Sequence, residues 1–188
     1  MKVLVYGSRT FGSVVRVLVE DCGHEFAGFI DDLHTGPDIL GPFDAVQRLH
    51  PAASHGCVNA VGYRDLRARL AVSQRIIAAG YPMPSLVHPR AYVNTRSRLG
   101  DGCLVMAGAQ IAEHVELGSG SVVWPGAVIS HDSVLGPSVY LSPNCTICGC
   151  CRLGSCCFVG AGAVVVNHAT VPDDTRIKAL ERHGVPQQ

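Results

Sequence analysis

The sequence predicts a chain of two parts, a small α/β domain with a parallel sheet followed by an all-β solenoid. In the first 85 residues, short apolar segments alternate with helical segments, an order typical of parallel sheets. From Val87 to Val165, aliphatic residues recur at every sixth position without a miss. Neither an α-helix nor a plain strand repeats every six residues, whereas a hexapeptide parallel β-helix does.

Local signals give the elements of the first part. Strands are predicted at 2–6, 25–30 and 57–61, and helices at 13–20, 43–49 and 64–79. Pro37, Gly41 and Pro42 mark a loop before the second helix. Two prolines in 81–84 predict a boundary, so we expect one domain at 1–85 and a second at 86–188.

In the second part, each hexad is expected to supply one short strand and one turn, and three hexads one triangular coil. A solenoid from residue 87 to about 166 then has a little over four coils and stands roughly 20 Å tall, at about 4.8 Å per coil. Terminal coils of a solenoid need covering. We expect the first domain to cover one end and the tail from Asn167 to cap the other.

The nine cysteines allow three interpretations. A disulfide framework is typical of short secreted chains, which this chain does not resemble. Cys145 and Cys148 have the spacing of zinc ligands. However, the fifth position of every hexad holds a small residue, and Cys103, Cys145, Cys151 and Cys157 occupy it. Since a buried free cysteine behaves as a small hydrophobe, packing is favoured over metal binding.

Composition excludes several classes of function. Lys and Arg total 15 and Asp and Glu total 15, so nothing favours a nucleic-acid binder or a binder of anionic membranes. No apolar stretch approaches the 18 residues of a membrane span, and the N-terminus lacks the features of a signal peptide. We therefore expect a cytoplasmic protein with no membrane partner.

Several motifs stand out in both parts of the sequence. In the repeats they are His88-Pro89, Met106-Ala107-Gly108-Ala109, the segment 129–136 and the segment 158–165. In the first domain they are the strand ending at Gly7, Phe29-Ile30-Asp31-Asp32 and Asn59-Ala60-Val61-Gly62. Together these motifs resemble the NeuD/PglD-type bacterial sugar acetyltransferases. The resemblance implies a left-handed β-helix of hexapeptide repeats behind a small Rossmann-like domain. It also implies a homotrimer with acetyl-CoA as co-substrate, bound between subunits, and no metal requirement.

The resemblance also assigns roles to single residues. His131 is expected at an exposed turn as the general base, with Asp132 holding its ring. The backbone N–H of Gly149 corresponds to the group that receives the oxyanion. Tyr140 and Ala161 match acetyl-CoA-binding positions, although Tyr140 stands where some relatives have a histidine.

The first domain is expected to bind a nucleotide-sugar. Gly7, Ser8 and Arg9 open a helix whose N-terminal amides suit a phosphate, although Arg9 replaces the middle glycine of a dinucleotide motif. Asp31 and Asp32 end the second strand, where carboxylates suit a ribose or base, and Gly62 follows the third strand. The predicted nucleotide-sugar-binding and acceptor-side residues are Gly7, Ser8, Arg9, Asp31, Asp32, Gly62 and Trp124, the last facing either the sugar or a neighbouring subunit.

The leading hypothesis is an acetyl-CoA-dependent N-acetyltransferase acting on a nucleotide-linked amino sugar, such as a UDP-4-amino-trideoxyhexose, for surface polysaccharides or glycoproteins. An O-acetyltransferase of a sialic-acid-like sugar or another hydroxyl acceptor uses the same histidine. A non-catalytic scaffold or Cys-rich metal-binding solenoid remains open because fold does not give function. An NAD-dependent oxidoreductase has only the Gly7 turn and Asp31 in its favour.

Overall fold

The computed structural model describes residues 1–184 and has a four-stranded parallel sheet at its N-terminal end. The elements of this part are β1 (Lys2–Tyr6), α1 (Thr10–Asp21), β2 (Glu25–Ile30), β3 (Ile39–Gly41), α2 (Phe43–Leu49), β4 (His55–Asn59) and α3 (Leu66–Ala78). The sheet has strand order β3-β2-β1-β4, and the three helices follow β1, β3 and β4 in the chain. Strand β3 lies where a loop was expected, and the other predicted elements are present with bounds shifted by at most three residues.

The first sheet is covered on both sides, which explains the continuous apolar run of β1. Val3 and Val5 face α1 and the solenoid, whereas Leu4 and Tyr6 face α2 and α3. All four side chains are buried. Strands buried on both faces lack the alternation of polar and apolar residues that marks a solvated sheet.

The second part is a parallel β-solenoid with three faces. The docked face, against which the first domain packs, holds β5 (Leu86–Val87), β8 (Leu104–Val105), β11 (Val122–Val123), β14 (Tyr140–Leu141), β17 (Phe158–Val159) and β20 (Arg176–Ile177). The second face holds β6 (Tyr92–Val93), β9 (Gln110–Ile111), β12 (Val128–Ile129), β15 (Thr146–Ile147), β18 (Val164–Val165) and β21 (Arg182–His183). The third face holds β7 (Arg98–Leu99), β10 (Glu116–Leu117), β13 (Val134–Leu135), β16 (Arg152–Leu153) and β19 (Thr170–Val171).

Each residue of the solenoid pairs with the residue 18 positions along the chain. Ile129, for example, pairs with Ile111 on one side and Ile147 on the other. The second residue of most strands points inward, and these side chains form one continuous apolar core. The predicted six-residue register is therefore confirmed as the structural repeat.

The solenoid extends further than the sequence analysis expected. The tail after Asn167 does not form a separate cap; it contributes β19, β20 and β21, which pair with the coil below. Val171 and Ile177 continue the inward-facing register and are buried. Residues 185–188 of the predicted second domain lie outside the described residues.

Cysteines at the fifth hexad position pack inside the coils. Cys103, Cys145, Cys151 and Cys157 are fully buried in the solenoid core. Burial raises the pKa of the Cys145 thiol to about 12, so that group stays protonated at neutral pH. Because metals bind thiolates, the burial of Cys145 argues against a zinc site at the Cys145–Cys148 pair.

A fully buried arginine joins the two domains. Arg69 of α3 donates to the carbonyl oxygen of Gly120, in a solenoid turn, through both Nε (3.2 Å) and Nη2 (3.1 Å). Its Nη1 donates to the carbonyl oxygens of Asn59 (3.0 Å) and Val61 (2.6 Å) in the first domain. Burial lowers the pKa of Arg69 to about 10, so it remains charged at neutral pH. One guanidinium therefore satisfies three buried carbonyl groups from both domains.

Replacing Arg69 with methionine is expected to lower the free energy of unfolding by roughly 3 kcal/mol, because buried carbonyl groups lose their donors. Urea denaturation followed by fluorescence of the single tryptophan, Trp124, measures this change. Arg67→Met is the matched control, since Arg67 pairs with Asp174 at the surface. An equal loss of stability in both variants contradicts the role assigned to Arg69.

Candidate active site

His131 lies in an exposed turn between β12 and β13, at the corner of the second and third faces. Its side chain is 53% exposed, and Nδ1 lies 2.8 Å from Oδ2 of Asp132. The hydrogen bond from His131 lowers the pKa of Asp132, so the carboxylate remains ionised. Because a carboxylate only accepts, Nδ1 carries the proton and Nε2 is the nitrogen free to act as a base.

Gly149 lies one coil beyond His131, directly against its ring. A Cβ added to Gly149 would come within 2.7 Å of His131 Nε2. Glycine therefore leaves the space that the imidazole occupies. The two residues that the sequence analysis paired as base and oxyanion donor are thus neighbours.

The backbone N–H of Gly149 already has an acceptor in this structure. It donates to Oδ1 of Asn167, one coil further on, at 2.9 Å. Sequence reasoning did not single out Asn167. The 18-residue spacing of His131, Gly149 and Asn167 is the signal that could have found it.

Three further predicted residues share an aromatic groove at another corner, between the docked and second faces. The groove has a volume of about 340 Å³ and is lined by Tyr63, Trp124, Tyr140, Ser142, Pro143, Phe158, Gly160, Ala161 and Ala179. Tyr63 of the first domain forms part of the wall and stacks on Phe158, with ring centroids 5.2 Å apart. The groove therefore includes residues of both domains.

Two residues that line this groove carry polar hydrogens. Burial raises the pKa of Tyr140 to about 12, so its hydroxyl stays protonated. Nε1 of Trp124 is shielded from solvent in this structure. The Tyr140 hydroxyl is therefore the donor suited to an acceptor atom of a ligand.

The groove and His131 lie at different corners of the prism within one chain. Trp124 precedes β12 and His131 follows it, so one face of the solenoid separates them. A single chain therefore does not bring the groove residues Trp124, Tyr140 and Ala161 together with His131.

The first domain has a cavity of about 470 Å³ beside the start of α1. It is lined by Ser8, Arg9, Ser13, Arg16, Phe29, His34, Thr35, Gly36, Pro37, Asp38 and Ile39. Arg9 occupies the N-cap of α1, where no side chain accepts from the first amides, and its Nη1 lies 2.9 Å from His34 Nε2. The positive end of a helix and two arginines converge on this cavity.

Gly7 and Gly12 allow the turn before α1 to pack closely. Gly7 has a φ of +112°, and a Cβ there would lie 2.9 Å from the carbonyl oxygen of Ala60. A Cβ on Gly12 would lie 2.1 Å from the carbonyl oxygen of Gly7. These contacts require both glycines whether or not a ligand is bound.

The two aspartates after β2 face different surroundings. Asp31 accepts hydrogen bonds from Ser8 and from the backbone N–H groups of Leu33 (2.9 Å) and His34 (3.0 Å). Although its burial opposes ionisation, these hydrogen bonds hold the pKa of Asp31 well below its usual range. Asp31 therefore braces the turn at Ser8 and the loop that borders the cavity.

Asp32 points to the other side of the sheet. It accepts from Tyr6, from the Phe43 N–H (2.8 Å) and from Arg75 Nη1 (2.8 Å). Gly62 follows β4 at the same edge of the sheet as Gly7, with open space around its Cα. Of the predicted nucleotide-sugar-binding residues, Ser8 and Arg9 line the cavity, whereas Gly7, Asp31, Asp32 and Gly62 do not.

Comparison with known proteins identifies the repeats. Residues 96–131 and 132–167 match the family described as bacterial transferase hexapeptide (six repeats). Both matched segments lie within the solenoid. No curated protein sequence matches the chain.

Solved structures resemble almost the whole chain. The acetyltransferase domain of PglB from Neisseria gonorrhoeae FA1090 has a TM-score of 0.89 and 28% identity, covering 95% of this chain and 88% of that one. The same domain in complex with acetyl coenzyme A has a TM-score of 0.84 and 24% identity, covering 98% of each chain. PerB from Caulobacter crescentus, in complex with CoA and GDP-perosamine, has a TM-score of 0.72 and 23% identity, covering 96% and 95%.

These likenesses confirm the predicted fold, a left-handed β-helix of hexapeptide repeats preceded by a Rossmann-like domain. They also confirm the resemblance stated from the sequence motifs. As expected from the hydropathy, no helix within the described residues is long and apolar enough to cross a membrane.

Removing the Asn167 side chain is expected to free the Gly149 N–H, because Asn167 Oδ1 is its acceptor. Amide hydrogen exchange of Gly149 should be faster in Asn167→Ala than in the wild type. The amide of Gly136, which donates to the Leu153 carbonyl oxygen, is the internal control and should not change. An unchanged Gly149 exchange rate contradicts this hydrogen bond.

Proposed function

We propose that the protein is an acetyl-CoA-dependent acetyltransferase acting on the amino group of a nucleotide-linked amino sugar, with His131 as general base. The observation that carries the proposal is the His131–Asp132 pair at an exposed corner, with Gly149 against the imidazole. The hexapeptide-repeat transferase family and the likeness to the PglB acetyltransferase domain support acetyl transfer. The relatives bound to acetyl coenzyme A, and to CoA with GDP-perosamine, support the two substrate classes.

The proposed chemistry is direct attack. An amino sugar is mostly protonated near neutral pH, so its ammonium must lose a proton before it can attack. Nε2 of His131 takes this proton, while Asp132 keeps Nδ1–H bonded and stabilises the imidazolium. That first proton passes to solvent, and the free amine attacks the thioester carbonyl. As the tetrahedral intermediate collapses and the C–S bond breaks, the attacking nitrogen gives its second proton to Nε2, which passes it to the CoA thiolate. The products are the amide, the CoA thiol and one proton released to solvent.

Gly149 is the proposed oxyanion donor. Its N–H is bound to Asn167 Oδ1 in the free chain, so the oxyanion must replace the side-chain oxygen of Asn167 as acceptor. This change of acceptor keeps the Gly149 N–H hydrogen-bonded both before and during the reaction. A backbone donor fixed by the coil requires little reorganisation when negative charge develops.

The aromatic groove is the proposed site for acetyl-CoA. Its apolar walls suit the pantetheine arm, and the Tyr140 hydroxyl suits an amide carbonyl group of that arm. The sequence analysis places Trp124 on the acceptor side, but its position beside Tyr140 and Ala161 favours contact with the co-substrate.

The separation of the groove from His131 supports a homotrimer with active sites between subunits. Three copies around an axis parallel to the solenoids can set the groove corner of one chain against the His131 corner of the next. This arrangement places the thioester beside the base without moving either element. Oligomers of this closed symmetric kind are common for soluble proteins.

The cavity of the first domain is the proposed nucleotide-sugar site. The amides at the start of α1, Ser8 and the Arg9 guanidinium would hold the phosphates, and Asp31 fixes the surrounding loop. Gly7 and Gly62 shape the same sheet edge, and Asp32 holds β2 against Arg75 and α2. A UDP-4-amino-trideoxyhexose is the proposed acceptor, and the cytoplasm is the proposed compartment.

Replacing His131 with asparagine is expected to lower kcat about 10²- to 10⁴-fold, the usual contribution of general base catalysis. CoA release from acetyl-CoA is measured with UDP- and GDP-linked amino sugars, and with free hydroxyl sugars, as acceptors. His168→Asn, an exposed histidine two coils away, is the matched control and should retain activity. Full activity of His131→Asn overturns the mechanism, and turnover only with hydroxyl acceptors replaces N-acetylation with O-acetylation.

Filling the groove is expected to weaken acetyl-CoA binding. Ala161→Phe should raise the KM for acetyl-CoA at least about tenfold while the KM for the acceptor stays unchanged, because a ring fills part of a groove that an apolar arm must enter. Ala107→Phe adds the same ring at the same corner three coils away and serves as control. Equal effects of the two substitutions, or an effect on the acceptor alone, argue against acetyl-CoA in this groove.

A further inference from the structure

A second kind of donor chemistry surrounds His131. Within residues 1–184, one group of three potential metal ligands is present. It consists of His131, Asp132 and Cys150, whose donor atoms all lie within 4.8 Å of one another. Nδ1 of His114 lies 3.4 Å from the other carboxylate oxygen of Asp132. An imidazole, a carboxylate and a thiol therefore meet at one corner, with a second imidazole beside them.

The coil stacking fixes the backbone of this cluster. His114, Asp132 and Cys150 occupy the same turn position in three successive coils, each with a left-handed backbone (φ of +56°, +57° and +59°). Each coil is held to the next by backbone hydrogen bonds, including the bond from the Cys150 N–H to the His131 carbonyl oxygen at 2.9 Å. The donors are thus presented by a rigid column, and only side-chain rotation is needed to change their spacing.

The donor set matches the preferences of a borderline-soft divalent ion. Zn²⁺ binds imidazole nitrogen, thiolate and carboxylate oxygen in tetrahedral geometry at about 2.0–2.3 Å, which places ligand atoms roughly 3.5 Å apart. Nδ1 of His131 and Oδ2 of Asp132 are already 2.8 Å apart, and all three donor atoms lie within 4.8 Å of one another. Rotation of side chains that are half exposed or partly exposed can bring them to metal-ligand spacing. Mg²⁺ and Ca²⁺ prefer oxygen ligands, so the thiol selects against them.

We propose that His131, Asp132 and Cys150 form a Zn²⁺ site that inhibits the protein by occupying its general base. Binding releases the thiol proton of Cys150 and leaves a neutral imidazole bound to the metal, so His131 can no longer accept a proton from the acceptor. His114 or a water molecule supplies the fourth ligand. The inhibitory consequence rests on the proposed function, whereas the metal site itself rests on the geometry alone.

This site differs from the one suggested by the spacing of Cys145 and Cys148. Cys145 is fully buried in the coil interior, whereas Cys150 is partly exposed beside His131. Cys148 is also partly exposed but is not part of the donor cluster. It provides a matched control, two residues from the proposed ligand.

Cobalt titration of the reduced full-length chain tests the site without using activity. Co²⁺ replaces Zn²⁺ and gives a thiolate-to-metal absorption band, which we expect for the wild type and for Cys148→Ser. Cys150→Ser should lose the band and bind Co²⁺ at least about tenfold more weakly, and His131→Asn should also weaken binding. Absence of the band in the wild type, or its persistence in Cys150→Ser, overturns the proposal.

Activity then tests the inhibitory role. Zn²⁺ should inhibit CoA release by the wild type and Cys148→Ser, reversibly on addition of a chelator, whereas Cys150→Ser should stay active in the same Zn²⁺ concentration. If the wild type shows the cobalt band but Zn²⁺ does not slow its turnover, the inhibitory role is contradicted and only the metal site stands. A Cys150-dependent band in a chain that transfers no acetyl group instead contradicts the proposed function, so the two failures are distinguishable.

Discussion

The stacking of residues 18 positions apart is the constraint on which the rest of this structure depends. Every coil donates backbone hydrogen bonds to its neighbours, and each residue therefore shares its place on the prism with residues one coil away. Functional groups distant in sequence become neighbours without any long-range folding of loops. The columns 131, 149, 167 and 114, 132, 150 are direct consequences, and they bring the His131 ring, the Asp132 carboxylate, the Gly149 amide and the Cys150 thiol to one corner.

The first domain is held to this scaffold by polar and apolar contacts. The buried Arg69 guanidinium links Gly120 of the solenoid to Asn59 and Val61. Around it, apolar residues of β1, β4 and α1 pack against the docked face. As a result, Tyr63 and Phe11 cover aromatic residues of the solenoid, and the groove has walls from both domains. The position of the first domain therefore shapes the groove as well as any nucleotide site.

The six-residue spacing predicted the solenoid, because the residue that points into each coil must be apolar whatever its neighbours are. The same spacing continues at Val171 and Ile177, although the longer polar segments around them suggested a cap. Strand β3 was missed because three residues between Pro37 and Pro42 carry no periodicity. His131 and Asp132 were predictable as sequence neighbours. The Gly149–Asn167 hydrogen bond, the stacking of Tyr63 on Phe158 and the hydrogen bonds from Ser8 to Asp31 could not be predicted, because each joins segments that are distant in the sequence.

The geometry of one chain also limits what that chain can do alone. A thioester held in the groove lies one prism face away from Nε2 of its own His131, whereas proton transfer requires hydrogen-bond distance. The solenoid is rigid, since each coil is bonded to its neighbours, so no hinge within it can close this gap. In the proposed function, a second copy that brings its own groove to this corner supplies the missing half of the site. The proposal therefore makes acetyl transfer depend on assembly, with the shape of the interface setting the distance between the His131 ring and the thioester.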